Sequence, residues 1–352
     1  MKKIFFSLVA LAAIAACSKS EVEYEQTGAI TLAPVTSNAT KSVAGYNGDT
    51  FDGIFPTAIN LCVFANAGEN GSAPASHSEA YFRNATFTWQ NKGTNASVTE
   101  GDTTIPTEGA YAGSPNAYYW PNVKTLVFAG HSIACNYDNT KSSMNFSDDV
   151  LSIPEYVQNN TTYTAEGAND LMWFSRTNAY DKQTEEIVTN MKHACSWITI
   201  KVAGNDVTAN NWILNSLVVK NIAHKGNAEC GTTKASWGAH DNYADEVYYN
   251  GTGGTGFTKT PAKYENNANN FIVIPQTPTT LEVTYTYVSD PVNNISYTET
   301  KEISLDWDGE DGNKSWESGV HYIYNVTITT TEILIDPVVV DWTKNEVPNV
   351  SI

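Results

Sequence analysis

The sequence predicts an all-β protein, and three observations lead to that fold class. Apolar and polar residues alternate with period two in many short segments, which is the pattern of half-buried strands. Clusters of Gly, Asp, Asn and Pro separate these segments, as turns do. Helical periodicity with caps is hard to find over about ten residues anywhere. Because the chain has 352 residues, we expect two β-sandwich domains in tandem.

Residues 1–16 are predicted to be an export signal. Lys2 and Lys3 form a basic head, and the apolar run that follows is too short to span about 30 Å of hydrocarbon. Small residues stand directly before Cys17, and residues 14–17 resemble a bacterial lipobox. That resemblance implies a lipidated Cys17 as the first mature residue. A plain secretory signal, with Cys17 unmodified, is the alternative. No later segment has eighteen consecutive apolar residues, so we expect no other membrane span.

The first predicted strand is GAITLAPV at residues 28–35. Ile30 and Leu32 alternate with Thr31 and Ala33, which places the two larger apolar side chains on one face. The residues that follow, 36–50, lack such alternation and are predicted to be a loop. Residues 17–41 therefore form an N-terminal segment with one strand.

The remaining strands fall into two halves. A polar stretch at 178–190 is the predicted linker, which gives an N-terminal domain over 42–182 and a C-terminal domain over 183–352. In the second half, alternation is clearest in LEVTYTYV (281–288), EISLDW (302–307) and HYIYNVTIT (321–329). We expect turns at 251–256, 289–294 and 308–313.

Charge and cysteine content limit the function classes. The net charge of −18 excludes an electrostatic nucleic-acid binder. Four cysteines remain after Cys17, namely Cys62, Cys135, Cys195 and Cys230. They allow three disulfide connectivities in an oxidising compartment, but the apolar surroundings of Cys62 and Cys195 favour free, buried thiols.

The sequence contains no pattern of an enzyme, and we expect neither catalysis nor a cofactor. The six histidines have no metal-ligand spacing. His193, placed at a predicted strand start, and Cys195 lack the third group that would activate a thiol nucleophile. Asp306, Asp308, Glu310 and Glu317 match four positions of a calcium loop, but Asp311 stands where that loop needs glycine. A solvated turn is therefore favoured over a calcium site.

The aromatic residues leave a binding function open. Exposed tryptophans on a β surface could stack on sugars, and Trp89, Trp120 and Trp237 are the candidates. A packed core position is the more usual place for tryptophan in a β-sandwich.

Several phrases together resemble the fimbrillin family of Bacteroidetes, the subunits of type V pili. They occur in order over most of the mature chain: YYWPN (118–122), NDLMWFS (169–175), MKHACSWITIKV (191–202), FIVIPQT (271–277), WESGVHYIYNVTIT (316–329) and ILIDPVVVDW (333–342). The resemblance implies two transthyretin-like β-sandwich domains and lipoprotein export to the outer surface. It also implies proteolytic removal of an N-terminal segment and polymerisation by strand exchange.

The residues themselves suggest how such an exchange could work. A cut after Lys41, before Ser42, would release the first strand and leave an open sheet edge, which accepts a new strand. The donor would be the C-terminal segment 333–352, in which Val338, Val340 and Trp342 share a face. One departure from the family is that its best-known members are cut after arginine, whereas no arginine lies between Cys17 and Arg83 here.

The sequence thus predicts a fimbrial subunit of the outer membrane or cell surface. Its expected partners are other pilin subunits, of the same or another kind, and the outer membrane through the lipid anchor. A ligand on a host or bacterial surface stays open as a further partner. The alternative function is a surface glycan-binding lipoprotein that does not polymerise.

Overall fold

Twenty strands and the connections between them make up the part of the chain that the structure describes. This computed structural model describes residues 28–36, 60–69, 79–91, 97–100, 103–106, 109–114, 116–121, 124–132, 144–147, 149–158, 170–175, 187–204, 212–256, 262–263, 271–277, 279–290, 292–293, 295–305, 315–329 and 333–341. The all-β class is confirmed, and within these ranges no helix could cross a membrane.

The strands are numbered in chain order. Those of the first half are β1 (Thr31–Thr36), β2 (Leu61–Glu69), β3 (Glu79–Asn91), β4 (Ser97–Glu100), β5 (Thr103–Pro106), β6 (Gly109–Gly113), β7 (Lys124–Ser132), β8 (Asn145–Ser147), β9 (Val150–Val157), β10 (Met172–Phe174) and β11 (Ile187–His193). Those of the second half are β12 (Ser196–Gly204), β13 (Trp212–Cys230), β14 (Ala235–Gly256), β15 (Ala262–Lys263), β16 (Phe271–Val273), β17 (Thr280–Asp290), β18 (Ile295–Ser304), β19 (Val320–Ile328) and β20 (Ile333–Asp341).

The N-terminal sheet closes on itself in the order β1-β11-β10-β7-β2-β3-β6. Only the β1–β11 pair is parallel, and the pairing of β6 with β1 completes the ring. Its interior is an apolar cluster to which β2 and β7 contribute Leu61, Val63 and Phe128. A ring without free edges hides its backbone polar groups from other strands.

The C-terminal half packs two sheets face to face, as predicted for a sandwich. One has the order β15-β12-β19-β20 with β16 on β12, and the other the order β18-β17-β13-β9-β8 with β14 on β13. The second sheet thus includes two strands from the first half of the chain, β8 and β9, through the pairing of β9 with β13. The alternation read in residues 281–288 is confirmed, since Leu281, Val283 and Tyr285 of β17 are buried in the core between the sheets.

The chain passes from the N-terminal to the C-terminal sheets through Ala194 and Cys195, between β11 and β12. Four hydrogen bonds hold this junction: Ala194 N–H donates to Leu171 O (2.8 Å), Trp237 Nε1–H to Ala194 O (2.7 Å), Gly319 N–H to Cys195 O (2.9 Å) and Ser318 Oγ–H to His193 O (2.8 Å). The prediction that His193 begins a strand is therefore wrong, because the chain turns directly after it. The predicted domain boundary at 182–183 lies outside the described residues.

One predicted turn is also wrong. Residues 251–256 belong to the end of β14, where Thr255 and Gly256 pair with Leu214 and Ile213 of β13. The glycine-rich composition signalled a turn, but the 19-residue β13 offers a long backbone edge that this segment extends along. The turn expected at 289–294 is found at Val292–Asn293.

Three of the cysteines are free and buried, as predicted: Cys62, Cys195 and Cys230. They lie in the apolar cluster between the two halves of the molecule. Burial raises the pKa of the Cys62 thiol to about 12 and also raises the pKa of the Cys230 thiol, so both stay protonated and unreactive. Cys135 lies outside the described residues.

Candidate functional site

Strand β1 is the element that closes the N-terminal sheet. It pairs in parallel with β11 from Leu32 opposite Ile187 to Thr36 opposite Met191. On its other side, Thr31 and Leu32 pair with Ala112 and Tyr111 of β6. Just before the strand, the Ile30 N–H donates to Tyr118 O at 2.7 Å. No described strand other than β1 joins β6 to β11.

The side chains of β1 are anchored in the core of the ring. Ile30 and Leu32 are both 0% exposed and pack in the cluster that contains Phe87, Trp120 and Ile187. The inward direction predicted for both side chains is confirmed. Each burial contributes about 1.5–3 kcal/mol, so β1 is held by its apolar contacts as well as by backbone hydrogen bonds.

Loss of β1 would change both the backbone and the core around it. The facing edges of β6 and β11 would carry unpaired N–H and C=O groups, which is the condition under which a sheet recruits another strand. The vacated positions of Ile30 and Leu32 would leave an apolar groove lined in part by Ile187 and Met191. The arrangement can therefore accept a strand with apolar residues at alternate positions.

The predicted cleavage site is close to β1 in sequence. Lys41 follows the last β1 residue, Thr36, by five positions. Lys41, Ser42 and the predicted lipid-bearing Cys17 lie outside the described residues, so all three stay predictions. A cut at Lys41 would leave β1 on the same fragment as Cys17.

The predicted donor segment forms β20 at the edge of a C-terminal sheet. It pairs antiparallel with β19 along its whole length, from Ile333 opposite Ile328 to Asp341 opposite Val320. Its other edge pairs with no described strand. In this register Val338 lies opposite Ile323 and Val340 opposite His321, while Trp342 lies outside the described residues.

Two large apolar side chains of β20 are poorly covered. Leu334 is 49% exposed and Val339 is 40% exposed. Pro337 interrupts the N–H pattern of the strand, which is tolerated at a sheet edge. An edge strand with exposed apolar residues has less to lose on leaving its sheet than a central strand has.

The other sequence candidates do not form a catalytic arrangement with access to solvent. His193 Nδ1 pairs with Asp170 Oδ2 at 2.5 Å, and both side chains are buried. Nearby Ser132 was not a candidate from the sequence. Its hydroxyl donates to the backbone oxygen of Asp170 and accepts from Met172 N–H, so both of these hydrogen bonds are to the backbone. Cys195 is fully buried in the junction.

Of the four residues that match the calcium-loop pattern, the structure describes only one. Glu317 lies beside the junction, whereas Asp306, Asp308 and Glu310 are outside the described residues. In the described ranges, no group of three or more His, Cys, Asp or Glu side chains could hold a metal ion.

The three tryptophan candidates for sugar stacking have different positions. Trp120 is buried in the ring cluster and is not available to a ligand. The side chain of Trp89 is not described. Trp237 is partly buried on β14, where its indole N–H is engaged with Ala194 O.

The sequence did not predict β11, one of the two strands that pair with β1. The predicted linker at 178–190 overlaps β11, which begins at Ile187. Ile187, Thr189 and Met191 are buried and alternate with neighbours on the other face. The run of β-branched residues Ile187, Val188 and Thr189 is the signal that would have identified the strand.

Comparisons with known proteins cover most of the chain. A family model described as fimbrillin-like matches residues 55–342. A fimbrial protein from Bacteroides vulgatus has a similar structure, with a TM-score of 0.56, 13% sequence identity, and coverage of 80% of this chain and 93% of that protein. A candidate cell adhesion protein from Bacteroides uniformis aligns with a TM-score of 0.49 and 13% identity over 90% of this chain and 99% of that one. No curated protein sequence matches this chain.

Proposed function

The chain belongs to the fimbrillin-like family, and we propose that it is a structural subunit of a type V fimbria at the cell surface. It is exported as a lipoprotein through Cys17, cut after Lys41, and polymerised by strand exchange. Its role is to build the fibre and support adhesion, and this role requires no catalytic step by the chain itself.

The observation that carries this proposal is the position of β1. One short strand near the predicted cleavage site closes the whole N-terminal sheet, and this strand and the residue before it contribute two fully buried apolar side chains, Leu32 and Ile30. Removal of that strand creates two unpaired edges and an apolar groove in a single step. A chain that must stay monomeric until it is processed needs such a removable strand.

The donor in this scheme is the C-terminal segment 333–352 of a neighbouring subunit. Because β20 is an edge strand, it can exchange its pairing with β19 for pairing with β6 and β11 of another copy. Donor and acceptor lie on different surfaces, so the contact is head to tail and extends into a filament. The partners are therefore other subunits, of this chain or of related chains.

Lipidation places the protein in the outer membrane before processing. Cys17 and β1 lie on the same side of Lys41 in the sequence. One cut would thus detach the subunit from its anchor and open its groove together.

Proteolysis of surface-displayed protein tests the mechanism. We expect mass spectrometry to find Ser42 as the new N-terminus and gels to show ladders that resist mild heating in SDS. Lys41→Ala should remain monomeric. Lys19→Ala is the matched control, because a cut at Lys19 leaves β1 in place, and this variant should form ladders as the wild type does.

A deletion of residues 333–352 removes the donor strand and leaves the acceptor site in place, so it tests the two roles separately. After cleavage this variant should form no ladder alone, yet it should still accept the donor strand of an intact chain in a mixed reaction. Another N-terminus would refute the Lys41 assignment, and ladders formed by the deletion variant alone would refute the donor assignment.

A further inference from the structure

A solvent-open cleft of about 620 Å³ lies on the C-terminal half, and none of its lining residues belongs to β1, β6 or β11. Three parts of the chain form it: the β13–β14 hairpin, the segment after β16, and residues 315–318 before β19. Its volume is within the range of about 300–1,000 Å³ that small-molecule binding clefts occupy. Strand exchange through β1 and β20 does not use this cleft.

Aromatic side chains of β14 line one side of the cleft. Tyr243 is 49% exposed and Trp237 is partly buried. The Trp237 ring is fixed by its hydrogen bond to Ala194 O. Gly226 leaves room for the ring, because a Cβ there would stand 3.1 Å from Trp237 Cε3. The Trp237 ring is therefore held in place before any ligand arrives.

The backbone around these aromatic residues is irregular at defined points. Asn221, Ala239 and Asn242 have positive φ angles of 55°, 49° and 56°. The pairing of β13 with β14 shifts register between Val219 and Ile222 and again between Lys225 and Asn227. Bulges of this kind redirect side chains and are frequent beside binding sites. Here they flank His240 and Tyr243, which both line the cleft.

The floor of the cleft is preformed. Gln276 accepts the Ala223 N–H at 2.7 Å and donates to Asn221 O at 3.2 Å. Its backbone oxygen accepts the Trp316 N–H at 2.8 Å. His240 Nε2 donates to Pro275 O at 2.8 Å. These bonds join all three parts of the cleft, so a ligand would meet a rigid surface.

One polar group at the cleft has no partner in the described structure. The Thr279 hydroxyl is buried and makes no hydrogen bond there. Buried hydroxyls are normally satisfied, so an exception needs an explanation, of which a bound partner is one. A ligand hydroxyl group of the right size would supply both a donor and an acceptor to it.

The charge of the cleft favours a neutral ligand. Lys234 is the basic and Glu317 the acidic side chain that line it, one of each sign, and the other polar lining groups are amides, hydroxyls and His240. The net charge of the chain, −18, further disfavours anions. The remaining requirement is a ligand with an apolar face for the aromatic rings and hydroxyl groups at its rim. A pyranose ring has both.

We propose that this cleft binds a neutral saccharide, with Tyr243 and Trp237 covering a sugar face and Thr279 bonding a sugar hydroxyl. The inference is independent of polymerisation, because an uncleaved monomer carries the same cleft. It assigns to the fimbrial subunit a ligand class that the fibre-forming contacts do not provide.

The test uses the purified uncleaved chain on an array of immobilised neutral di- to tetrasaccharides built from glucose, galactose, mannose and N-acetylhexosamines. The wild type should bind at least one of them. Tyr243→Ala should weaken that binding by about tenfold, while Tyr243→Phe should retain it. Thr279→Val should lose affinity, and Thr279→Ser should keep it.

Tyr297→Ala is the matched control, since Tyr297 is a 60% exposed tyrosine of β18 that is not part of the cleft. It should bind as the wild type does. Thermal melting of each variant separates loss of binding from loss of fold. The proposal is overturned if no neutral saccharide binds, or if folded Tyr243→Ala and Thr279→Val bind as tightly as the wild type.

Discussion

At the scale of single residues, Ala239 is held in a conformation that its side chain disfavours. Its φ is 49°, and a left-handed backbone costs a residue with a Cβ about 1–2 kcal/mol. The neighbouring register shifts of the β13–β14 hairpin impose this geometry. Such strain is retained where it positions other side chains, and here the next residue, His240, bonds to Pro275 O.

We expect Ala239→Gly to stabilise the folded chain by about 0.5–1 kcal/mol, because glycine adopts positive φ without strain. Urea denaturation of the uncleaved protein measures the change. Ala244→Gly is the matched control, an exposed alanine of the same strand that lacks a positive φ. It should lose about 0.5–1 kcal/mol, and equal effects of the two variants would contradict the strain.

His224 should make stability depend on pH. The Glu246 carboxylate, 2.8 Å from Nε2, raises the pKa of His224 above 6.5, although partial burial acts in the opposite direction. A raised folded-state pKa gives stability that is fully present below about pH 6.5 and is lost as the pH rises through the folded-state pKa. Glu246→Gln should therefore lower the melting temperature more at pH 5.5 than at pH 8.5.

Glu302→Gln on the exposed strand β18 is the comparison for that measurement. Its effect should differ little between the two pH values. If Glu246→Gln has the same effect at both, the charged His224–Glu246 pair does not contribute to stability.

At the scale of secondary structure, β1 combines two properties that usually conflict. It is short and near the chain terminus, yet it completes a closed sheet, and its Leu32 and the preceding Ile30 are fully buried. β20 is the opposite case, a nine-residue strand with one free edge and with Leu334 half exposed. In the proposed strand exchange, this difference would make the β1 position the stronger binding site for an apolar strand.

This contrast predicts that replacing leucine with alanine destabilises the chain more in β1 than in β20. Leu32→Ala should destabilise the uncleaved chain by about 2–4 kcal/mol, because it removes a fully buried side chain. Leu334→Ala should change the unfolding free energy by less than about 0.5 kcal/mol. Denaturant unfolding of both variants gives the comparison, and a small effect of Leu32→Ala would mean that β1 is not anchored by its side chains.

How far the sequence reveals these elements depends on the length of their alternating pattern. Strands such as β17 and β19 show it over most of their residues, and both were predicted. β11 was assigned to a linker because polar residues precede Ile187. The end of β14 was taken for a turn because glycine cannot show alternation, although pairing with β13 keeps it extended.

The functional surfaces also differ in how far the sequence alone predicts them. The inward face of β1 could be predicted, since Ile30 and Leu32 are close in sequence. Its neighbours β6 and β11 could not, because only folding brings residues 109–113 and 187–193 to either side of it. The cleft likewise brings together Trp237, Gln276 and Trp316, which no local pattern connects.

At the scale of the whole molecule, the two halves are tightly coupled. The junction at Ala194 and Cys195 is bonded on both sides, and an apolar cluster that includes Phe64, Trp173 and Trp197 fills the space between the halves. In the proposed exchange, the strand that is replaced, β1, lies in one half and the donor strand, β20, lies in the other. A coupled molecule of this kind would transmit a fixed geometry from each strand exchange to the next, as a regular fibre requires.

Electron cryomicroscopy of filaments grown from the cleaved chain tests the central claim most directly. The account predicts that the density between β6 and β11 of each subunit is a strand from residues 333–352 of its neighbour, and that residues 28–36 are missing. Density for a subunit's own residues 28–36 between β6 and β11, or filaments joined through another surface, would contradict it.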